Sequence, residues 1–426
     1  MMSPSTPQSA SDAGSGPGMR EFIALMAALM ASNALAIDAM LPALPAIGDT
    51  LNVAEPNQRQ LVITAFILGF GVAQLFWGPL ADRYGRKHLL VGGLILYCLL
   101  GFVAGVASSF PLLLAARVLQ GMAAAASRVL VVAIVRDRYH GPAMARVMSL
   151  SMIVFMIVPV LAPTFGQTVL AFGTWRHIFI GLGVYGAILA VWSAIRLPET
   201  LTADQRRPLS WALIGQATWT VLRNRQSIGN TIAQTLVLGA LFSFINSVQQ
   251  IVFDVFGAGD IMALVFAIIA GPMAISAYAN SRLVMRLGSR LILLIALTFF
   301  TGVAAAHLGI VALFGESLWL FVALQAGTMI FFGLIGANAG ALAMEPLGHI
   351  AGTASSVQGV ITTVGGALIG FFIGQHFDGT TLPFLIGFTG CGFASLLVAL
   401  WANHPPSGDT QDEAEIDIQE VENRPA

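Results

Sequence analysis

The sequence predicts an all-α polytopic membrane protein with twelve transmembrane helices in two bundles of six. Three observations point there. Hydrophobic residues make up 57% of the 426, charged residues only 10%, and the mean hydropathy is +0.82, with 45 glycines. A soluble chain of this length needs more charge to cover its surface, whereas lipid-facing helices need almost none and accept glycine freely. The apolar residues also come in stretches of roughly twenty, the length that crosses a hydrocarbon core of ~30 Å. Finally, the charges gather at the joints between stretches, because a charge at bilayer depth costs several kcal/mol.

In chain order, residues 1–19 are rich in Ser, Gly, Pro and Ala and read as a disordered tail. Spans are expected near 20–46, 58–80, 88–107, 111–135, 145–170, 176–197, 227–252, 259–283, 289–312, 317–344, 353–376 and 381–402. The longest hydrophilic interruption, 198–226, contains Glu199, Asp204, Arg206, Arg207, Arg223 and Arg225 and separates a first bundle (20–197) from a second (227–403). Residues 404–426 form an acidic tail with seven carboxylates from Asp409 to Glu422, read as solvated and disordered. Arginines and the single lysine concentrate in alternate loops: Arg83, Arg86 and Lys87; Arg136, Arg138 and Arg146; Arg196 to Arg225; Arg282, Arg286 and Arg290. The opposite ends hold only Arg59 and Arg176, so both termini are expected in the cytoplasm. Cys98 and Cys391 lie in apolar runs far apart and suggest neither a disulfide nor a metal site.

The turn after span two reads Arg83-Tyr84-Gly85-Arg86-Lys87, and the turn after span eight reads Arg286-Leu287-Gly288-Ser289-Arg290. The same pattern at the same place in each half is what a duplicated six-helix unit produces. The second copy is degraded, with Met285 where the first has Asp82.

Gly78-x-x-x-Asp82-Arg83-x-Gly85-Arg86-Lys87 resembles the loop signature of the major facilitator superfamily. Asp38-Ala-Met-Leu-Pro42-Ala-Leu-Pro45, Arg117-x-x-Gln120-Gly121 and Pro159-x-x-Ala162-Pro163-x-x-Gly166 resemble its drug/proton antiporter group. With Ala351-Gly352-Thr353-Ala354-Ser355-Ser356, the chain is most similar to the bicyclomycin and chloramphenicol resistance (Bcr/CflA) branch. Ala162 and Gln167 depart from the glycines usual in the antiporter pattern. The resemblance implies the major facilitator fold, a bacterial inner-membrane location, and export of amphenicol- or bicyclomycin-like and other weakly charged or lipophilic compounds in exchange for protons by alternating access. It implies a small drug-like substrate, protons and the lipid bilayer as partners of a monomer, and no nucleic acid.

Asp38 is the only carboxylate well inside a span, and Arg117 lies about 10 Å deep in span four. Arg128 falls eleven residues later, within about 20° of the same helix face. A face carrying two arginines, Gln120 and small residues belongs on a water-accessible cavity. Asp38, Arg117 and Arg128 are therefore the candidate proton-coupling residues: changed wetting, or a changed distance to Arg117, would let Asp38 take a proton from one side and release it to the other. The alternatives are a structural ion pair or helix-end cap for Asp38, an interspan anchor for Arg117, and a snorkelling side chain for Arg128.

The loop residues Gly78, Asp82, Arg83, Gly85, Arg86 and Lys87 are read as a conformational latch, with Asp82 facing the start of span eleven at Gly352 and Arg136 behind it. Their basic side chains serve topology in either case. Pro159, Ala162, Pro163 and Gly166 form a pliable seam against span eight at Gly271-Pro272, or an ordinary proline kink. Candidate substrate contacts are Gln120, Phe155, Met156, Phe242, Asn246, Gln249, Asn338 and Gln358, each weighed against plain helix packing. His307 reads as a packed interhelical histidine. A proton-coupled carrier of a sugar or organic acid, or a non-transporting receptor or scaffold, is the alternative reading. No nucleotide loop, metal-ligand spacing or nucleophile elbow is present, so neither an enzyme nor a cofactor is expected.

Overall fold

The computed structural model describes residues 17–201, 204, 206 and 211–404, and its described elements are all helical. Both expected tails lie almost wholly outside the described residues. The first half comprises α1 (Met19–Asp38), the short α2 (Leu44–Thr50), α3 (Leu61–Tyr84), α4 (Arg86–Gly105), α5 (Phe110–Arg138), α6 (Gly141–Phe172) and α7 (Trp175–Arg196). After α8 (Trp211–Arg223) come α9 (Arg225–Gln250), α10 (Met262–Phe314), α11 (Leu318–Met329), α12 (Phe332–Met344), α13 (Ala351–Gln375) and α14 (Leu382–Ala402).

Eleven helical stretches among the described residues are long and apolar enough to cross a membrane. One of them contains α10, whose 53 residues would extend about 80 Å, far beyond one crossing. Gly288 interrupts it with φ 73° and ψ 156°, so α10 supplies spans eight and nine and the total is twelve. Gly85, between α3 and α4, has φ 96° and ψ 148°. The two copies of the repeat thus turn at the same residue with nearly the same backbone, in the left-handed region that glycine tolerates.

Within the first half α3 packs on α5, α4 on α5 and α7, and α1 on α6. Within the second, α9 packs on α13 and α14, and α10 on α11, α12 and α14. Two seams join the halves, α3 against α13 and α6 against α10. The α3–α5 crossing is close because it is made of glycine: a Cβ on Gly121 would sit 2.0 Å from the Phe66 carbonyl oxygen, and one on Gly69 2.0 Å from that of Val118.

The linker differs from the expected hydrophilic interruption, since α8 is an amphipathic helix within it. Ile214, Ala217 and Val221 recur at helical spacing and are buried. Val221 packs with Leu347, in the turn before α13, and with Ala354 and Val357 at the start of α13. Trp219 and Leu222 stay exposed, with the Arg223 guanidinium 4.3 Å from the Trp219 ring.

Candidate functional site

The two ends of the molecule are named outer and inner after the orientation the basic residues predict. α1 stops at Asp38 because Pro42 and Pro45 cannot continue its hydrogen-bond ladder; a 3₁₀ turn (Leu41–Ala43) and α2 follow. This break leaves Asp38 on the last helical residue, 4% exposed, with Oδ1 lacking a hydrogen-bond partner among the described residues. Discontinuous helices of this kind line the sites of many transporters.

Arg117 is fully buried and stands beside this break. Its Nε donates to the Val62 carbonyl at 3.0 Å, Nη1 to Gln120 Oε1 at 2.8 Å and Nη2 to the Ala36 carbonyl at 2.9 Å. The guanidinium also lies 4.3 Å from the Phe66 ring centre. Arg117 therefore reaches the residue two before Asp38 and satisfies itself on neutral acceptors; the two charges share a level without an ion pair. The buried Gln120 holds Arg117. Arg128, half-buried, lies farther inward on α5.

At the inner end the sequence-predicted loop closes on its own half. Arg86 Nη2 lies 3.3 Å from Asp82 Oδ1, and Arg86 Nε pairs with Asp137 at the end of α5. The Glu199 carboxylate, beyond α7, accepts from the N–H groups of Arg86 (2.8 Å) and Lys87 (3.2 Å) and meets His88 at 3.2 Å. It caps the first turn of α4, where unpaired N–H groups and the helix dipole favour an anion. Burial pushes the Glu199 carboxyl up, but the N–H groups of Leu201, Arg86 and Thr200, with His88, outweigh it and hold the group below its ordinary range. Gly85 is required twice: its φ is positive, and a Cβ there would lie 2.6 Å from Glu199 Oε2. The expected partners of Asp82 are not engaged in this conformation. Gly352 and Arg136 are exposed and Asp82 pairs with Arg86, which the i,i+4 spacing across the Gly85 turn brings alongside. Gly78 lies opposite Ser356 of α13, and Arg83 is exposed.

At the outer end, neutral amides cross between halves. Gln60 Nε2 donates to Gln250 Oε1 and to the Gly374 carbonyl (3.1 Å). Asn57 Nδ2 donates to the carbonyls of Gln375 and Phe377, both at 3.0 Å, and Asn57 Oδ1 accepts from Gln250 Nε2 at 2.7 Å. Deeper in the α3–α13 seam, Gln74 donates to Thr363 at 3.1 Å. The outer end is thus closed. The antiporter-like segment of α6 meets two partners. A Cβ on Gly166 would fall 1.8 Å from the Ala39 carbonyl oxygen, so this glycine and the buried Ala162 pack against the α1 break in their own half. Gln167, where the family pattern departs, donates to the Gly259 carbonyl across the seam at 3.0 Å. Pro159 and Pro163 lie within α6, and a Cβ on Gly271 would meet open space.

The substrate candidates divide. Asn338 donates to Asn280 (2.7 Å), and Gln358 to Ser227 Oγ and the Ala343 carbonyl (both 3.0 Å), so both join helices of the second half. Phe242 packs where Gly370 lets α13 approach α9. The side chains of Phe155 and Met156 lie outside those described. Asn246 Oδ1 and both polar atoms of Gln249 are buried without hydrogen-bond partners among the described residues, as are both polar atoms of Asn33 on α1, a residue sequence reasoning passed over. Also missed were Glu199, Gln60, Asn57 and Gln375. Only the Pro-Glu-Thr sequence after α7 and the amide-rich stretch before α3 stood as signals.

This fold and its sites define a multi-pass carrier built from two helical halves. Residues 26–370 match the Major Facilitator Superfamily, and the chain belongs to that family of transporters. It is 30% identical to a bicyclomycin resistance protein homolog of Haemophilus influenzae, covering 88% of this chain and 94% of that one. It is 28% identical to the multidrug resistance protein MdtL of Salmonella heidelberg, covering 89% and 94%. Among solved structures it is similar to the xylose transporter XylE of E. coli in a partially occluded inward open conformation, with TM-score 0.67, 12% identity and 90% and 98% coverage. It is likewise similar to the human organic anion transporter MFSD10 (TM-score 0.65, 18% identity, 91% and 100% coverage). These two likenesses concern the fold alone.

Proposed function

We propose that this protein is a secondary active exporter of weakly charged or lipophilic compounds, among them amphenicol- or bicyclomycin-like drugs, in exchange for protons. It works as a monomer in the bacterial inner membrane with both termini in the cytoplasm. The distribution of basic residues supports the orientation, and the bacterial resistance proteins among its relatives support the substrate class.

The observation that carries the reading is the Asp38 carboxyl, buried at the α1 break and not paired with Arg117. A carboxylate charge isolated in the membrane interior is costly, and a proton removes it. When the outer end opens, Asp38 takes a proton from outside; when the inner side admits water, it releases that proton and the site accepts drug. Arg117, fixed on neutral acceptors, supplies a constant positive field that favours the released state, and Arg128 continues the polar face inward. Asp82, freed from Arg86, meets Gly352 and Arg136 only when the halves rock to the outward-facing state. Gln249 and Asn246 offer substrate the hydrogen bonds they lack in this conformation.

Asp38→Asn is expected to abolish drug-dependent proton release from the detergent-solubilised protein while leaving it folded. Unchanged release from that variant would remove Asp38 from the coupling step. Uptake by inverted against right-side-out vesicles fixes the direction.

A further inference from the structure

A pair of buried titratable side chains lies in the second half, whereas Asp38 lies in the first. His307, in the outer part of α10, places Nε2 2.6 Å from Oε1 of Glu316 in the α10–α11 loop, and the side chains are 1% and 5% exposed. Thr381, in the α13–α14 loop, donates its hydroxyl to the other oxygen of Glu316. The Phe321 ring lies 5.8 Å from the imidazole, and His307 Nδ1 is buried without a hydrogen-bond partner among the described residues.

The proton inventory of this pair is constrained by what surrounds it. Of the helices packed on α10, α11 and α12 contain no titratable side chain and α14 contains only Cys391. Cys391 adjoins Gly392, which faces Phe300 and Thr301 about 9 Å inward along α10. Two other titratable residues share the loop with Thr381. Asp378 is exposed and accepts from the N–H and hydroxyl of Thr380; His376 is exposed and bonded to the Phe372 carbonyl. Of the other elements packed on α10, α6 carries Arg146 at its inner end and the turn before α10 carries Asp260. Among the described residues, His307 is the one basic side chain within ion-pair distance of Glu316. A neutral imidazole beside an ionised carboxyl leaves a net negative charge among phenylalanines; one added proton, on either residue, brings the pair to zero.

We propose that His307 and Glu316 form a second proton-binding site, which takes up one proton from the outer solution as the two outer loops pack over it and returns that proton to water as they separate. Thr381 makes the α13–α14 loop the lid of this site. The pair is independent of Asp38, so outer-loop packing follows external pH whatever the coupling residue does.

The test uses the full-length protein with Cys98→Ser and Cys391→Ser and a reporter cysteine at the buried Val311, one turn beyond His307. Its labelling rate is expected to rise at least about fivefold as the external pH is raised, the proton leaves and the loops part. His307→Gln and Glu316→Gln should each flatten this profile, and the imidazole ¹⁵N signal lost in His307→Gln should change over the same pH range. Thr381→Val, which removes only the lid hydroxyl, should shift the midpoint and serves if the other variants fail to fold. Asp38→Asn should leave the profile unchanged, which separates failure of this site from failure of the coupling proposal. Labelling indifferent to pH, or a profile unaltered by all three variants, would overturn the assignment and leave a structural hydrogen bond.

Discussion

At the outer end, Asn57, Gln60, Gln250 and Gln375 join the halves through neutral amides; at the inner end, Asp82, Arg86, Asp137, Glu199 and His88 join elements of a single half. The energetics explain the division. A neutral hydrogen bond contributes about 0.5–1.5 kcal/mol net, because water replaces the partner when it breaks. Stripping one member from a buried ion pair costs about 3–5 kcal/mol, because the survivor stays buried and uncompensated. In the proposed cycle the contacts that part are made from amides, and the body that moves as a unit is held by charge.

The largest effect should come from attacking the charged end. Arg86→Ala strands Asp137 beneath the loop and should destabilise the first half by about 3 kcal/mol, less than a fully buried pair because Asp82 is half exposed. A thermal midpoint in detergent that does not fall would show that these charges hold nothing. A smaller effect should follow at the outer end, where Asn57→Ala with Gln60→Ala removes about 1 kcal/mol per residue. This should shift the population towards an open outer end, read as faster labelling of Val62→Cys, a buried position, at nearly constant thermal midpoint. If the midpoint fell as steeply as in Arg86→Ala, the contrast between the ends would collapse.

The smallest effect concerns pH. Because the folded-state pKa of Glu199 is depressed, its stabilisation is fully present above the ordinary carboxylate range and is lost as pH falls through the lower folded value. Partial exposure limits this to under about 1 kcal/mol. Glu199→Gln should therefore flatten the acid limb of stability below about pH 4.5 and change little at neutral pH.

The parts legible in sequence are those where one residue contradicts its surroundings. Asp38 and Arg117 stood out as charges in apolar runs, and Gly85 and Gly288 as a repeat. Pairings over long separations were not legible: nothing local links Glu199 to Arg86, or Gln60 to Gln250, and only the folded chain brings them together. The linker helix was hidden because its apolar face, Ile214, Ala217 and Val221, is too short to register as a span. Glu316 was assigned to a loop by hydropathy, although the loop folds inward over His307. Among the substrate candidates, side-chain type could not separate Gln358, which staples helices, from Gln249, which has no hydrogen-bond partner among the described residues.

Gly85 and Gly288 bend the chain alike, yet Met285 and Ser289 stand where Asp82 and Arg86 make their ion pair. The pivot is present in both halves and the ion pair across it in only one. The second half is thus a natural control carried inside the same molecule, a hinge of the same shape without the charges that brace it in the first. Whatever rigidity that brace gives the inner turn belongs to the first half alone.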